Sequence, residues 1–554
     1  MPTAVASIGP AYEPVPGLVV TWVGRGAPTY GEAVDARLPV DGLVALLRGN
    51  EPFALLDVRE EGVFAAAHLL HASSVPLSRL ELRLPVLVPD RSTPVVWCDD
   101  GSGLAERAAE RATSLGWTAS VVLDGGTHAW AAAGLELYSG VNVPSKLFGE
   151  LVEQRYGTPH ITAHELARRQ AAGERIVVLD SRTEREFHRM SIPGGRSCPG
   201  GELVHRMHAA VADSDTLVVV NCAGRTRSII GAQSLRSAGL PNPVFALENG
   251  TMGWELAGLE LHHGCTEAVP PPDAAALEAA RRAADAVAAR VGVETATSLA
   301  GAQVLDVRTP EEFAAGHVPG SRSAPGGQLV QATDEYLAVR NSPVVLVDDD
   351  GVRATMAALW LLQMGWRDVR THRAGPDELV DATRPATGLT PPPVTTCTVD
   401  ELNDDADATV IDLASSPIHR QGHVPGAWWV VRSRLGEARR LIGPAERLVV
   451  TSPTGELAAW AVDDVARMWP EAMVVALEGG TAAWERAAHA VEPGMMRPTT
   501  ATDDVWAKPY DPDDQEVARA RMRDYLTWEV ALVAQYASDG LARFDLPPEA
   551  VGDR

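Results

Sequence analysis

The chain has 554 residues, enough for three or four domains of ordinary size, and 45% of them are hydrophobic, which excludes disorder throughout. Its net charge of −25 repels phosphate backbones and anionic lipid, so neither nucleic acid nor a membrane surface is an expected partner. The sequence contains no apolar run of membrane-spanning length, no secretion-type leader and only five cysteines, so we expect a cytoplasmic protein with reduced thiols.

The predicted elements repeat four times along the chain. Each repeat begins with a short apolar strand containing an aspartate near its end, at Leu55–Arg59, Val177–Arg182, Gln303–Arg308 and Thr409–Ala414. A second apolar strand ends 40 to 42 residues after each aspartate, at Cys98, Cys222, Asp348 and Ser452. A polar loop containing glycine follows each time, and then a helical stretch. Such regular spacing predicts four copies of one fold.

A third motif, G-G-T-x-x-W or a close variant, strengthens the repeat. It occurs at Gly125–Trp130, Asn249–Trp254 and Gly479–Trp484, each time beginning 27 residues after the predicted end of the second strand. The third repeat has lost it. Strands that alternate with helices indicate an α/β fold in which helices cover a mainly parallel sheet.

Linkers rich in proline and glycine separate the repeats. They divide the chain into domains of residues 18–145, 146–265, 266–390 and 391–495, followed by a C-terminal helical tail of residues 496–554. Asp513 to Tyr536 carries apolar side chains on one helical face, so this helix is expected to dock on a domain or on a partner subunit. Docking on a partner would make the protein a homodimer. We do not expect the tail helix to bind a ligand.

The loop of the second repeat has the composition of a reactive site. It reads Cys222-Ala223-Gly224-Arg225-Thr226-Arg227-Ser228. A thiol at the end of a parallel strand lies where open α/β sheets bind ligands, and a loop entering a helix can direct several N–H groups at one point. Two arginines add positive charge. These features favour the thiolate, so Cys222 is predicted to be acidic and nucleophilic. The alternative is an inert buried cysteine.

The other three loops are less suited to sulfur chemistry. Cys98 places a thiol in the first repeat but is followed by carboxylates, which raise a thiol pKa, so it is a secondary candidate. The third and fourth repeats have Asp348 and Ser452 at this place and no sulfur nucleophile. We expect these domains to be inactive copies kept for architecture or binding.

Taken together, these motifs resemble the rhodanese (sulfurtransferase) family, as four tandem rhodanese-like domains over most of residues 20–495. The family's pieces are D-x-R at Asp306–Arg308, E-F-x-x-G-H-V-P-G at Glu312–Gly320, the Cys222 loop, and G-G-T-x-x-W at Gly479–Trp484. The resemblance implies that the loop cysteine carries a persulfide between a sulfur donor and an acceptor. The second repeat has Ser191 where the family has a histidine that is mostly structural.

Loop length separates two chemistries of this fold. Related phosphatases and arsenate reductases use a Cys-x5-Arg loop that wraps a tetrahedral phosphate. Four residues lie between Cys222 and Arg227, and position 228 is Ser, so the smaller loop favours a persulfide.

Cys198 is the remaining sulfur candidate. Its loop could line the Cys222 pocket, where a second thiol would resolve the persulfide. Because Ala324 occupies the matching position of the third repeat, a small packed residue is the favoured interpretation. Asp180 and Arg182 are predicted to form a buried ion pair that holds the fold.

The function predicted from sequence is sulfur transfer by double displacement. Cys222 attacks the outer sulfur of a donor such as thiosulfate, and Arg225, Arg227 or both hold the departing sulfite. The loop from Ala223 to Ser228 stabilises the persulfide, and cyanide or a thiol takes the sulfur. No metal or organic cofactor is required. A non-catalytic sulfur carrier or docking module that serves a partner enzyme is the alternative.

Overall fold

The computed structural model describes residues 37–211, 213–380 and 388–547. Within these residues the chain forms four parallel β-sheets, each flanked by helices, which confirms the predicted α/β fold class and the tandem arrangement.

The first domain forms the first sheet. Its elements are β1 (Arg37–Leu38), α1 (Val40–Arg48), β2 (Phe53–Asp57), α2 (Glu61–Ala66), β3 (Ser73–Ser74), α3 (Leu80–Leu87), β4 (Val95–Cys98), α4 (Leu104–Ser114), β5 (Ser120–Leu123) and α5 (Gly126–Ala132). The strands lie parallel in the order β1-β5-β4-β2-β3.

The second domain repeats this order as β6-β10-β9-β7-β8. Its elements are β6 (His160–Ile161), α7 (Ala163–Ala171), β7 (Ile176–Asp180), α8 (Glu184–Arg189), β8 (Gly195–Ser197), α9 (Leu203–Ala210), β9 (Leu217–Asn221), α10 (Thr226–Ser237), β10 (Val244–Leu247) and α11 (Gly250–Leu256), and the helix α6 (Val143–Tyr156) precedes them. Strand β9 is buried along its whole length, as expected for a parallel strand covered on both faces.

The third domain has the order β11-β16-β15-β12-β13. Its elements are α12 (Ala274–Val291), β11 (Glu294–Thr295), β12 (Gln303–Asp306), α13 (Pro310–Ala315), β13 (Arg322–Ser323), α14 (Gly326–Gln331), β14 (Val339–Arg340), β15 (Val344–Asp348), α15 (Arg353–Gln363) and β16 (Val369–Arg373). Strand β14 leaves its own domain and pairs antiparallel with β2, which joins the third domain to the first sheet.

The fourth domain has the order β17-β21-β20-β18-β19. Its elements are β17 (Thr396–Cys397), α16 (Val399–Asn403), β18 (Thr409–Asp412), α17 (Ser416–Gln421), β19 (Trp428–Trp429), α18 (Leu435–Ile442), β20 (Arg447–Thr451), α19 (Glu456–Met468), β21 (Met473–Leu477) and α20 (Gly480–Arg486).

The second and third domains share one hydrophobic core. Side chains from both, including Leu235 and Leu346, belong to a single buried cluster, and Trp360 donates a hydrogen bond to Ser234 across the boundary (2.8 Å). Helix α12, whose N-terminus is capped by Asp273, packs on helices of both domains. A shared core of this size fixes the two domains to each other.

The tail forms a long helix, α21 (Gln515–Asp539), which packs on α6. Its apolar side chains, among them Met522, Leu526 and Leu532, are buried against the same chain. This packing confirms the predicted docking on a domain and gives no support to a homodimer through the helix. In the described part of the chain, no helix combines the length and hydrophobicity that crossing a bilayer requires.

Candidate active site

Cys222 follows β9 directly, at the C-terminal edge of the second sheet. Two neighbouring strands meet beneath it, because Asp180 of β7 lies opposite Asn221 of β9. The Asn221 amide donates to Asp180 Oδ2 (2.8 Å) and to Thr251 Oγ1 (3.1 Å), while Arg182 forms the predicted buried ion pair with Asp180 (2.7 Å). These bonds fix the base of the loop.

The first residues of α11 form backbone hydrogen bonds with carbonyl groups of the loop. The N–H of Thr251 donates to the Cys222 carbonyl (2.8 Å), and the N–H of Met252 donates to the Ala223 carbonyl (2.9 Å). Gly250 allows this contact: its φ is 54°, and a Cβ there would lie 2.4 Å from the Cys222 oxygen. The glycine of the G-G-T-x-x-W motif is therefore required by the close approach of two backbones.

On the thiol side, Ser228 is the partner of Cys222. The thiol donates to Ser228 Oγ (3.5 Å), the Ser228 hydroxyl donates to the Arg225 carbonyl (2.7 Å), and the Ser228 N–H binds the sulfur. Thr226, the first residue of α10, donates its hydroxyl to Glu529 of the tail helix (2.8 Å).

Strand register corrects the alignment of the first repeat. Cys98 lies opposite Asp57, as Asn221 lies opposite Asp180, so the counterpart of Cys222 is Asp99 and not Cys98. Asp348 and Ser452 occupy this position in the third and fourth domains. The sequence interpretation placed Cys98 one residue out of register because it followed the residue type.

The loops of the other three domains fill this position with a hydrogen-bond acceptor. In each loop the N–H six residues further along donates to the first side chain: Ala105 to Asp99 (3.2 Å), Ala354 to Asp348 (2.9 Å) and Ala458 to Ser452 (3.2 Å). The Ser228 N–H has the same relation to Cys222. The scaffold thus directs N–H groups at this point in every domain, and an anion there would be stabilised.

Both other candidate thiols lie in hydrophobic cores. Cys98 and Cys198 have no exposed surface, and each belongs to a buried apolar cluster. Burial raises the pKa of Cys198 to about 12 and the pKa of Cys98 well above its usual range. Cys198 packs in one cluster with Ala324, as the favoured interpretation predicted.

The two loop arginines are already paired. Arg225 forms hydrogen bonds with both oxygens of Glu150 (2.7 and 2.9 Å) and an ion pair with Glu153, while Arg227 binds both oxygens of Glu186 (2.9 Å each). Their positive charge is therefore largely neutralised by carboxylates of α6 and α8.

This pairing changes the expected acidity of Cys222. The side chain is 2% exposed, and burial raises its pKa above the usual value. The charge of Arg227 and the hydrogen bonds from Ser228 lower the pKa, but by less than burial raises it. The predicted acidic thiol is thus wrong for the resting protein, because the sequence could not show the carboxylates that pair with the arginines.

A family model for the rhodanese-like domain matches residues 40–133, 162–257 and 293–381, together about half of the chain. The chain belongs to the rhodanese family. The fourth domain lies outside these matches but has the same strand order as the rhodanese domains before it.

Three similar proteins show how far the likeness extends along the chain. A crystal structure of a thiosulfate sulfurtransferase from Pseudomonas aeruginosa has 45% sequence identity and a TM-score of 0.88, covering 92% of this chain and 99% of that one. The thiosulfate sulfurtransferase GlpE of Pseudomonas paraeruginosa is 34% identical over 90 residues, 16% of this chain and 78% of GlpE. An HTH-type transcriptional regulator of Mycobacterium tuberculosis is 33% identical over 110 residues, 20% of this chain, and the match spans 47% of the regulator.

In this rhodanese chain, the Cys222 loop opens into a cavity of about 280 Å³ built from several domains. Glu61 of the first domain, Lys146 of α6, and Gln328 and Gln331 of α14 line it together with the loop. The third domain therefore contributes directly to the walls of the cavity.

The tail contributes a further wall that sequence reasoning missed. Trp506, Lys508, Tyr510, Tyr525 and Glu529 all line the cavity, so the expectation that the tail helix binds no ligand is not supported by its position. One signal was present in the sequence: Glu529 lies four residues after Tyr525, on the predicted apolar face of the helix.

Proposed function

We propose that the protein transfers sulfane sulfur from an anionic donor such as thiosulfate to cyanide or a thiol, through a persulfide on Cys222. One observation carries the proposal. In the other three loops, backbone N–H groups donate to the side chain of Asp99, Asp348 or Ser452. In the second loop the same position is a thiol, Cys222, which lines a cavity. A sulfur anion formed there would have the same N–H partners.

The loading step needs no external base. The Sγ of Cys222 attacks the outer sulfur of thiosulfate, the S–S bond of thiosulfate breaks, and its electron pair leaves with sulfite. The thiol proton ends on the outer sulfur, so Cys222 becomes a persulfide and the charge balances. The attacking species is the thiolate, so the raised pKa of Cys222 limits loading to the small ionised fraction of the resting thiol.

Two lysines that line the cavity are candidates to hold the donor, and one of them, Lys146, also donates a hydrogen bond to the Val141 carbonyl. Lys146 and Lys508 line the cavity, and among the described residues neither forms an ion pair with a carboxylate. Arg225 and Arg227 each have a carboxylate partner, so we assign them to fixing the loop and the lysines to binding thiosulfate and sulfite. Ala223, Gly224, Thr226 and Ser228 shape the backbone around the persulfide.

An enzyme that acts on small molecules is favoured over a carrier that docks on a partner protein. The cavity is small, and walls from the first domain, the third domain and the tail surround the loop, which restricts the approach of another protein.

All five cysteines lie in the described residues and none forms a disulfide, which suits a reducing, cytoplasmic setting.

The test is a thiosulfate:cyanide assay of the full chain and of three variants. Cys222→Ser should abolish turnover, whereas Cys98→Ser and Cys198→Ser, which alter buried core thiols, should keep most of it. Mass spectrometry after incubation with thiosulfate should find one added sulfur on the Cys222 peptide. Turnover that survives Cys222→Ser, or persulfide formation only with a partner protein, would contradict the proposal.

A further inference from the structure

Glu529 of α21 is a buried carboxyl group with half of its hydrogen-bonding capacity unused. It is 1% exposed, and its Oε1 accepts the hydroxyl proton of Thr226 (2.8 Å). In the described part of the chain, Oε2 has no hydrogen-bond partner, and no cation lies within ion-pair distance of the carboxyl. Leaving such a group unpaired in the protein interior is costly, which suggests a use for the free oxygen.

The free oxygen faces the reactive loop. A Cβ built on Gly224, two residues after Cys222, would lie 3.3 Å from Glu529 Oε2 and 3.5 Å from the ring of Tyr525. Glu529 and Cys222 also line the same cavity. A molecule that enters this cavity to reach the sulfur of Cys222 therefore comes close to the Glu529 carboxyl, and a small displacement of the cavity wall brings it into contact with the buried Oε2.

We propose that the sulfur acceptor is a small thiol that arrives protonated, and that Glu529 removes its proton. This inference rests on the proposed function and names the acceptor class. A nucleophile that arrives ionised would not need such a group, whereas an alkyl thiol is mostly protonated near neutral pH.

The transfer step balances in protons and charge. Glu529 takes the proton of the acceptor thiol, and the thiolate attacks the outer sulfur of the Cys222 persulfide. The S–S bond to Sγ breaks and its electron pair stays on Cys222. Glu529 then returns its proton to Cys222, so the thiol is restored and the acceptor leaves as a persulfide.

The surroundings of Glu529 suit proton transfer near neutral pH. Burial raises its pKa to about 7; Glu150 of α6 also raises it, while Lys146 of α6, Arg225 of the loop and the Thr226 bond lower it. Tyr525, one helical turn before Glu529, and Cys222 also face this region. Further titratable or charged groups line the same cavity: Glu61, Arg185, Glu186, Arg227, Glu335, Lys508 and Tyr510. Above pH 7 the carboxylate, which is the base, predominates.

The test separates the two half-reactions in the full chain. Enzyme loaded with thiosulfate and freed of sulfite is mixed with an alkyl thiol, or with an aromatic thiol that is already ionised at pH 7, and loss of the persulfide is followed. Glu529→Gln keeps the Thr226 bond and the shape but cannot take a proton. Glu516→Gln, at an exposed position in the first turn of the same helix, is the matched control.

We expect Glu529→Gln to slow sulfur transfer to the alkyl thiol about 100-fold, which is within the range for loss of a general base. The rates of persulfide loading and of transfer to the ionised thiol should stay within about twofold of the wild-type rates. The wild-type rate with the alkyl thiol should rise with pH through about 7, and the variant should lack this step. Equal losses with both thiols, an equal loss in loading, or no loss would overturn the inference. If the wild type forms no persulfide at all, the proposed function itself fails.

Discussion

Replacement of Glu529 by glutamine should also remove a pH dependence from the docking of α21. The pKa of the buried carboxyl is about 7, against 4.5 for the group in water, so the docked helix binds its proton more tightly than the undocked helix. Between these two pH values the docked state holds more protons, and docking therefore weakens as the pH rises. Below pH 4.5 both states are protonated and the penalty is absent.

The size of the effect follows from the pKa difference. One pKa unit corresponds to about 1.4 kcal/mol, so raising the pH from below 4.5 to above 7 should cost the wild type about 3 kcal/mol of docking free energy. Glutamine is neutral throughout and pays no such cost. Glu529→Gln should therefore dock as well as the wild type at low pH and more tightly at pH 8.

Hydrogen exchange of the amides in α21 measures this local opening without unfolding the four domains. After correction for intrinsic exchange rates, wild-type protection should fall roughly 100-fold between pH 5 and pH 8.5, and protection in Glu529→Gln should stay nearly constant. Glu516→Gln should behave like the wild type. A similar pH dependence in the wild type and in Glu529→Gln would show that the carboxyl is not held protonated by burial, and the reasoning would be wrong.

Three further predictions concern the loops. Gly250→Ala should slow persulfide formation at least 10-fold because the added Cβ would meet the Cys222 carbonyl. The control is Gly258→Ala, where φ is 76° and the space around the glycine is open. This control should lower the free energy of thermal unfolding by only about 1 kcal/mol and leave the rate of persulfide formation unchanged. Asp348→Ala should lower the free energy of unfolding by about 1–3 kcal/mol because it leaves the N–H groups of its loop unpaired. Asp348→Asn keeps a hydrogen-bond acceptor and should lower the free energy of unfolding clearly less. Equal losses of stability in the two variants, measured by thermal unfolding, would contradict this account. Glu186→Gln should leave Arg227 without its carboxylate partner, so that the positive charge of Arg227 lowers the pKa of Cys222 further. The pH midpoint of Cys222 alkylation by iodoacetamide should then move down by about one unit. An upward shift would refute the electrostatic argument.

The sequence was sufficient to predict the four sheets because each repeat carries its own local signals. A buried strand ending in aspartate, a second strand at nearly constant spacing, and a polar loop before a helix are all determined by neighbouring residues. The first repeat shows the limit of this reasoning. The distance from Asp57 favours Asp99 and the distance to the G-G-T-x-x-W motif favours Cys98, so only the strand pairing in the structure decides the register.

The electrostatics of the site could not be read from the sequence. Glu150 and Glu186 pair with the loop arginines from helices that lie 75 and 41 residues earlier in the chain. The contact between Thr226 and Glu529 spans 303 residues. Such pairs depend on how domains and tail pack together, which periodicity does not encode, although the carboxylate on the apolar face of the tail helix was a visible exception to the pattern.

The pairing of β14 with β2 has a consequence for how the protein is made. The first sheet receives its antiparallel edge strand only when Val339 and Arg340 have left the ribosome. At about 5–20 residues per second, this happens roughly 15 to 60 seconds after β2 itself was synthesised. During that interval the backbone of Phe53 and Ala54 is an open edge that can recruit a strand from another nascent chain. A fragment truncated after the first domain would keep that two-residue edge open permanently.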